Sequence, residues 1–84
     1  MFYYLILCRS LTYAQRTASA LERAGIAAHI LRTPRSIAGE GCGHSVKIAQ
    51  RALSRALPIL QREKLEPKRV FITAGDDSYQ EVGL

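Results

Sequence analysis

The chain has no tryptophan, one methionine, two phenylalanines and two cysteines among its 84 residues. Two cysteines, Cys8 and Cys42, are too few for a disulfide framework, and their spacing has none of the pairing of a zinc site. Neither a metal nor a cofactor is therefore expected. The sequence also lacks a glycine-rich phosphate loop followed by Lys-Ser/Thr, and it lacks paired carboxylates suited to acid–base catalysis. Acids are scarce: seven Asp and Glu face twelve Lys and Arg, for a net charge of +5. Long apolar runs are missing as well. The opening Met1 to Cys8 stretch is closed by Arg9, far short of the ~20 residues that span a bilayer. It has no basic residue ahead of it, and Leu7 is not the small residue that a lipoprotein signal places before its cysteine. These features point to a cytoplasmic protein that does not enter a membrane and whose first residues are a buried strand.

What is present is ordinary for one small domain: 48% hydrophobic and 23% charged residues. A chain of this size buries only roughly 60% of the surface exposed when unfolded, so its core is thin and gains from association. The charge is split along the chain. Residues 1–69 carry every basic side chain and net +8, whereas residues 70–84 carry three acids and no base.

The apolar pattern alternates between two periods. Residues 2–8 form a continuous apolar run, as in a strand covered on both faces. Thr12 with Gln15 fits a capping box, with Ser10 as the rival cap, and Ala14, Ala18 and Leu21 then recur at helical spacing. A helix over 12–24 ends at Gly25. Residues 26–31 read as a second strand, stopped by Thr33-Pro34. Residues 33–43 form a loop with glycines at 39, 41 and 43. His44 to Ala49 alternates as a third strand, and residues 50–64 return to helical spacing, with Pro58 expected to kink or split that helix. Residues 70–73 form a fourth short strand, and the acidic tail from Gly75 is expected to be loosely held.

The order βαββαβ predicts an α+β, ferredoxin-like sandwich over residues 1–74, followed by a flexible tail over 75–84. The sheet is four-stranded and antiparallel, in the order 4-1-3-2, with two helices on one face. Strand one and strand three then run antiparallel as neighbours. Cys8, Ser10, Thr12 and Cys42 are brought to one rim. The helices leave one sheet face uncovered although strand one is apolar on both, which predicts a homodimer through the open face, with cover by the C-terminal tail as the alternative.

The feature with most chemical content is Gly39-Glu40-Gly41-Cys42-Gly43-His44. Flanking glycines leave the sulfur accessible, and their amides can face an anion. The thiolate is the reactive form, and lowering a thiol pKa from ~8.5 to ~7 takes about 2 kcal/mol of preference for the anion. Arg9, Arg35 and His44 are the cations at hand, and His44 could serve as a base. The plainer alternative for Cys42 is a small loop residue without chemistry. Cys8 reads as a buried small hydrophobe, or else as a resolving thiol for Cys42. Arg51, Arg55 and Arg62 follow helical spacing as a solvated face, which could also attract RNA or an acidic protein. The third strand, His-Ser-Val-Lys-Ile-Ala, has no aromatic on which to stack a base, so sequence-specific nucleic-acid binding is not expected.

Three segments, Ala24-Gly25-Ile26, Thr33-Pro34-Arg35-Ser36-Ile37 and Gly41-Cys42-Gly43, resemble in order and spacing the small bacterial selenium/sulfur carrier protein-like family. The resemblance runs from about residue 3 to residue 72. It implies a cytoplasmic carrier of sulfur or selenium, rather than a turnover enzyme, with Cys42 as the carrying thiol. Thr33, Pro34 and Arg35 would shape and charge the loop, with Gly41, Gly43 and His44 beside the anion. A cysteine desulfurase-type donor and a thiol acceptor protein are the partners such a relay needs. Two other classes compete: a non-catalytic binding or regulatory module using the basic surface and open sheet face, and a Cys8/Cys42 redox switch.

Overall fold

The computed structural model describes residues 1–39 and 43–83. Among these, the elements in chain order are β1 (Tyr3–Cys8), α1 (Leu11–Arg23), β2 (His29–Arg32), α2 (Arg35–Ala38), β3 (His44–Ala49), α3 (Leu53–Arg62), β4 (Arg69–Thr73) and β5 (Tyr79–Glu81). A 3₁₀ turn over Gln50–Ala52 leads into α3. The strands form one antiparallel sheet in the order β2-β3-β1-β4-β5. Its first four strands are the expected 4-1-3-2 order read from the other edge.

Four features depart from the expected arrangement. The sheet has a fifth strand, because Tyr79–Glu81 in the segment read as a tail pairs with β4. The loop after β2 contains a single helical turn, α2. The α1 helix is capped by Ser10 instead of the Thr12 box: extended Ser10 accepts a hydrogen bond at its Oγ from the Tyr13 amide at 3.1 Å. The β2 strand is also shorter than anticipated. Ile26 and Ala28 go to the core instead of the sheet, where each is under 10% exposed.

Both long helices end in the same way. Gly25 (φ +83°) follows α1, with its amide on Glu22 O and that of Ile26 on Leu21 O. After α3, Lys64 (φ +59°) repeats the pattern, with its amide on Gln61 O and that of Leu65 on Leu60 O. These are Schellman motifs, in which a left-handed residue lets the following amides satisfy the last carbonyls. Pro58 lies inside α3, which continues past it to Arg62. Of the kink or split expected there, the split does not occur; a 3₁₀ turn precedes the helix instead.

Alternation along β1 sends its side chains into two cores. Ile6 and Cys8, with Val46, Ile48 and Val70, pack against Ala14, Ala18 and Leu21 of α1 and Ala56 and Leu60 of α3. Leu5 and Leu7, with Phe71, form a second cluster with Ile37 of α2, against which Leu31 and Tyr79 pack. The continuous apolar run of β1 follows directly, since both of its faces are buried. The face expected to be bare is thus buried at Leu5, Leu7 and Phe71 within the chain itself, with Ile37 of α2 in the cluster and Leu31 and Tyr79 packed against it.

Candidate functional site

Of the site residues expected from the sequence, Cys8, Thr33, Gly43 and His44 lie at the rim where β1 ends and β3 begins. Cys42, Gly41 and Glu40 lie outside the described residues; Gly39 and Gly43 bracket them. Gly39 has φ +57° and ψ −159°, a combination that disfavours any side chain, and it ends α2. On the far side, Gly43 accepts a hydrogen bond at its carbonyl from the Thr33 amide at 3.0 Å, which carries the β2–β3 pairing one step beyond the strands. Thr33 is buried, and its Oγ1 lies 2.6 Å from the buried Ser45 Oγ. Pro34 (φ −55°, ψ 139°) then turns the chain into α2, whose first residue, Arg35, is exposed. The described part of the loop is therefore anchored by backbone and hydroxyl contacts at Thr33 and by Ile37 in the second core.

His44 is half-buried and stands opposite Cys8 in the β1–β3 register and opposite Arg32 in the β2–β3 register. Cys8 is 3% exposed, on the helix-covered face. Its Sγ lies 3.6 Å from Ile6 O and 3.8 Å from Thr17 Oγ1, within the layer between sheet and α1. The small-hydrophobe reading of Cys8 describes this environment. Arg9 is engaged by Tyr13: it donates to Tyr13 Oη at 2.7 Å, and its guanidinium stacks 4.2 Å from that ring. Among the described residues, no group of three His, Cys, Asp or Glu side chains could hold a metal ion, and no helix is long and apolar enough to cross a membrane.

One cation at this rim escaped the sequence reading. Arg69 opens β4 directly across from Leu7 of β1. It donates from Nε and Nη2 to the Glu81 carboxylate at 3.1 and 2.8 Å, and its guanidinium lies 4.8 Å from the Phe71 ring centre. A methyl group placed on Gly39 would sit 3.9 Å from its Nη1. The signal was present in the strand order, because a β4 antiparallel to β1 must start where β1 ends.

A family model described as "Putative Se/S carrier protein-like" matches residues 3–72, from the start of β1 to within β4. The chain belongs to the Se/S carrier protein-like family. Among curated proteins and solved structures, none matches it. The family-matched segment includes β1, β2, β3 and most of β4, helices α1, α2 and α3 and the Thr33–Gly43 loop, while β5 with Glu81 lies beyond it.

Proposed function

We propose that this member of the Se/S carrier protein-like family carries sulfur or selenium on Cys42 as a persulfide or selenosulfide. The observation that carries this reading is the family match over residues 3–72, which includes Cys42. It is supported by the anchoring of the flanking residues: Thr33 to Gly43 and Ser45, and Ile37 to the second core. Relay of a group by thiol exchange needs no deep catalytic constellation.

In the sulfur case, the Cys42 thiolate attacks the terminal sulfur of a donor persulfide. A new S–S bond forms to Cys42 and the donor's S–S bond breaks, its electron pair leaving with the donor thiolate. The step exchanges one thiolate for another and needs no outside oxidant or reductant. An acceptor thiolate later removes the sulfur by the same displacement, or by the selenium equivalent. Arg35 and the amides at Gly41 and Gly43 are the groups suited to stabilise the anion.

Incubating the reduced protein with a cysteine desulfurase and cysteine, followed by intact mass and peptide mapping, tests the reading. The expected result is the addition of one sulfur atom on Cys42, lost in Cys42→Ser and retained in Cys8→Ala. No adduct in the wild type, with Cys42 slow toward alkylation at neutral pH, overturns it. A mass loss of two hydrogens with both thiols blocked would assign a Cys8/Cys42 redox switch instead.

A further inference from the structure

Between α1 and the turn that follows α3 runs a groove of ≈ 460 Å³. Its walls present three cations, Arg16 and Arg23 from α1 and Lys64 from the turn, against one carboxylate, Glu63. All four residues are exposed. Glu63 is already shared, 3.8 Å from Arg23 and 4.0 Å from Arg62. Arg16 and Lys64 have no ion-pair partner among the described residues. The groove continues, through Tyr13 and Leu65, into a second hollow of ≈ 320 Å³. There Arg9 and Lys68 add two cations and Glu66 one acid.

Lys64 stands in the left-handed position (φ +59°) that Gly25 fills after α1, a conformation unfavourable for any residue with a Cβ. Glycine would close α3 at lower backbone cost; what lysine adds is a cation on the groove wall. Arg16 and Arg23 are seven residues apart on α1, so they share one side of it, about 10 Å apart along its axis. A chain lying in the groove therefore meets cations from α1 on one side and from the α3 turn on the other.

We propose that this groove docks an acidic segment of a protein partner, whose carboxylates pair with Arg16, Arg23 and Lys64. Carboxylates about 10 Å apart match the arginine spacing, at i and i+7 on a helix or three residues apart on an extended chain. Two features favour a peptide over a nucleic acid. Glu63 and Glu66 interrupt the cations and would oppose a continuous phosphate backbone. Gln15 and Ser19 line the same wall with donors and acceptors suited to peptide groups, and buried Leu65 adds apolar surface.

The test measures binding of a fluorescein-labelled hexaglutamate peptide to the full chain by fluorescence anisotropy at low salt. A labelled hexauridylate RNA of similar charge forms the second arm. Arg16→Gln and Lys64→Gly should each weaken hexaglutamate binding roughly two- to fivefold, the scale of an exposed ion pair. Arg51→Gln is the control, because it removes the same charge from an exposed residue outside the groove, and it should change binding far less. Added salt should weaken the wild type more than the Arg16→Gln/Lys64→Gly double variant. Both changes fall on exposed residues, and glycine suits the backbone at position 64, so lost binding is separable from lost folding. Equal losses in Arg51→Gln and the groove variants would mean diffuse attraction and overturn the proposal, as would no binding of hexaglutamate. Tighter binding of hexauridylate, lost in the same groove variants, would overturn the protein partner in favour of a nucleic acid. The assay uses no thiol chemistry, so the groove and the carrier reading of Cys42 stand or fall separately.

Discussion

Thr33 Oγ1 and Ser45 Oγ lie 2.6 Å apart with both side chains buried, so the residue that opens the loop is fastened to the second residue of β3. No buried side-chain oxygen or nitrogen among the described residues lacks a partner. The pair therefore joins loop and sheet without leaving an unsatisfied polar group inside the second core.

Removing one hydroxyl should cost more than removing both. Thr33→Val keeps the shape and strands the Ser45 hydroxyl, with an expected loss of roughly 1–3 kcal/mol. The Thr33→Val/Ser45→Ala double variant should recover part of it, because no buried donor is then left unpaired. Denaturant midpoints with an unchanged m value provide the measurement. Strictly additive losses would mean that the two hydroxyls are not coupled.

Lys64 offers a change in the opposite direction. It holds the left-handed position that Gly25 holds after α1, at a cost of roughly 1–2 kcal/mol for a residue with a Cβ. Glycine there gives back part of that gain through its more flexible unfolded chain. Lys64→Gly should therefore stabilise the protein by about 0.5–1 kcal/mol, visible as a rise of a few degrees in Tm. A fall in Tm would show that the Lys64 side chain contributes more than its backbone strain costs.

The first four strands and the two long helices were legible because their apolar periods are clear and the covered helix faces match them. The order of four strands followed from connection rules alone. Burial on the second sheet face was legible only in part, as the alternative of cover by the C-terminal tail. It depends on Ile37, one apolar residue in a four-residue helical turn, and on Tyr79 in a three-residue strand, both too short to show a period. The cap of α1 turned on a choice between Ser10 and Thr12 that local sequence left balanced. At the site, the Thr33 and Gly43 ends of the loop could be named from its proline and glycines. Arg69 was missed because its relevance arises from the alignment of β4 with β1 and from a carboxylate twelve residues away.

Covering the second face makes Ile37 a structural residue despite its place in a surface loop. It is 9% exposed and packs with Leu5, Leu7 and Phe71. Ile37→Ala should cost about 2 kcal/mol, at the low end of large-to-small core changes because a peripheral turn can settle inward. Phe71→Ala, deeper in the same cluster, should cost roughly 3–5 kcal/mol. Equilibrium unfolding of the two variants checks the order. An Ile37→Ala effect within about 0.5 kcal/mol would place α2 among ordinary surface turns.

The Arg69–Glu81 pair also gives β5 a pH dependence whose sign is fixed. Hydrogen bonding from the Arg69 guanidinium holds the Glu81 carboxyl below its ordinary range, with the charge of Arg69 adding to the effect and slight desolvation opposing it. A group whose folded pKa is depressed contributes stability that is fully present above its unfolded value, about 4.3 for glutamate, and is lost as pH falls through the lower folded value. Asp76 behaves alike: the Ser78 hydroxyl and amide both donate to its carboxylate and lower its pKa. Both groups lie at the surface, so the effect is small and weakens with salt. Glu81→Gln removes the charge while keeping an acceptor for Arg69. At neutral pH and low salt, the wild type should be the more stable of the two. Their unfolding midpoints should converge as pH drops below the glutamate range, where the wild-type carboxyl is itself neutral. A difference that persists undiminished into that acid range would assign the role of Glu81 to packing within β5, and not to its charge on Arg69.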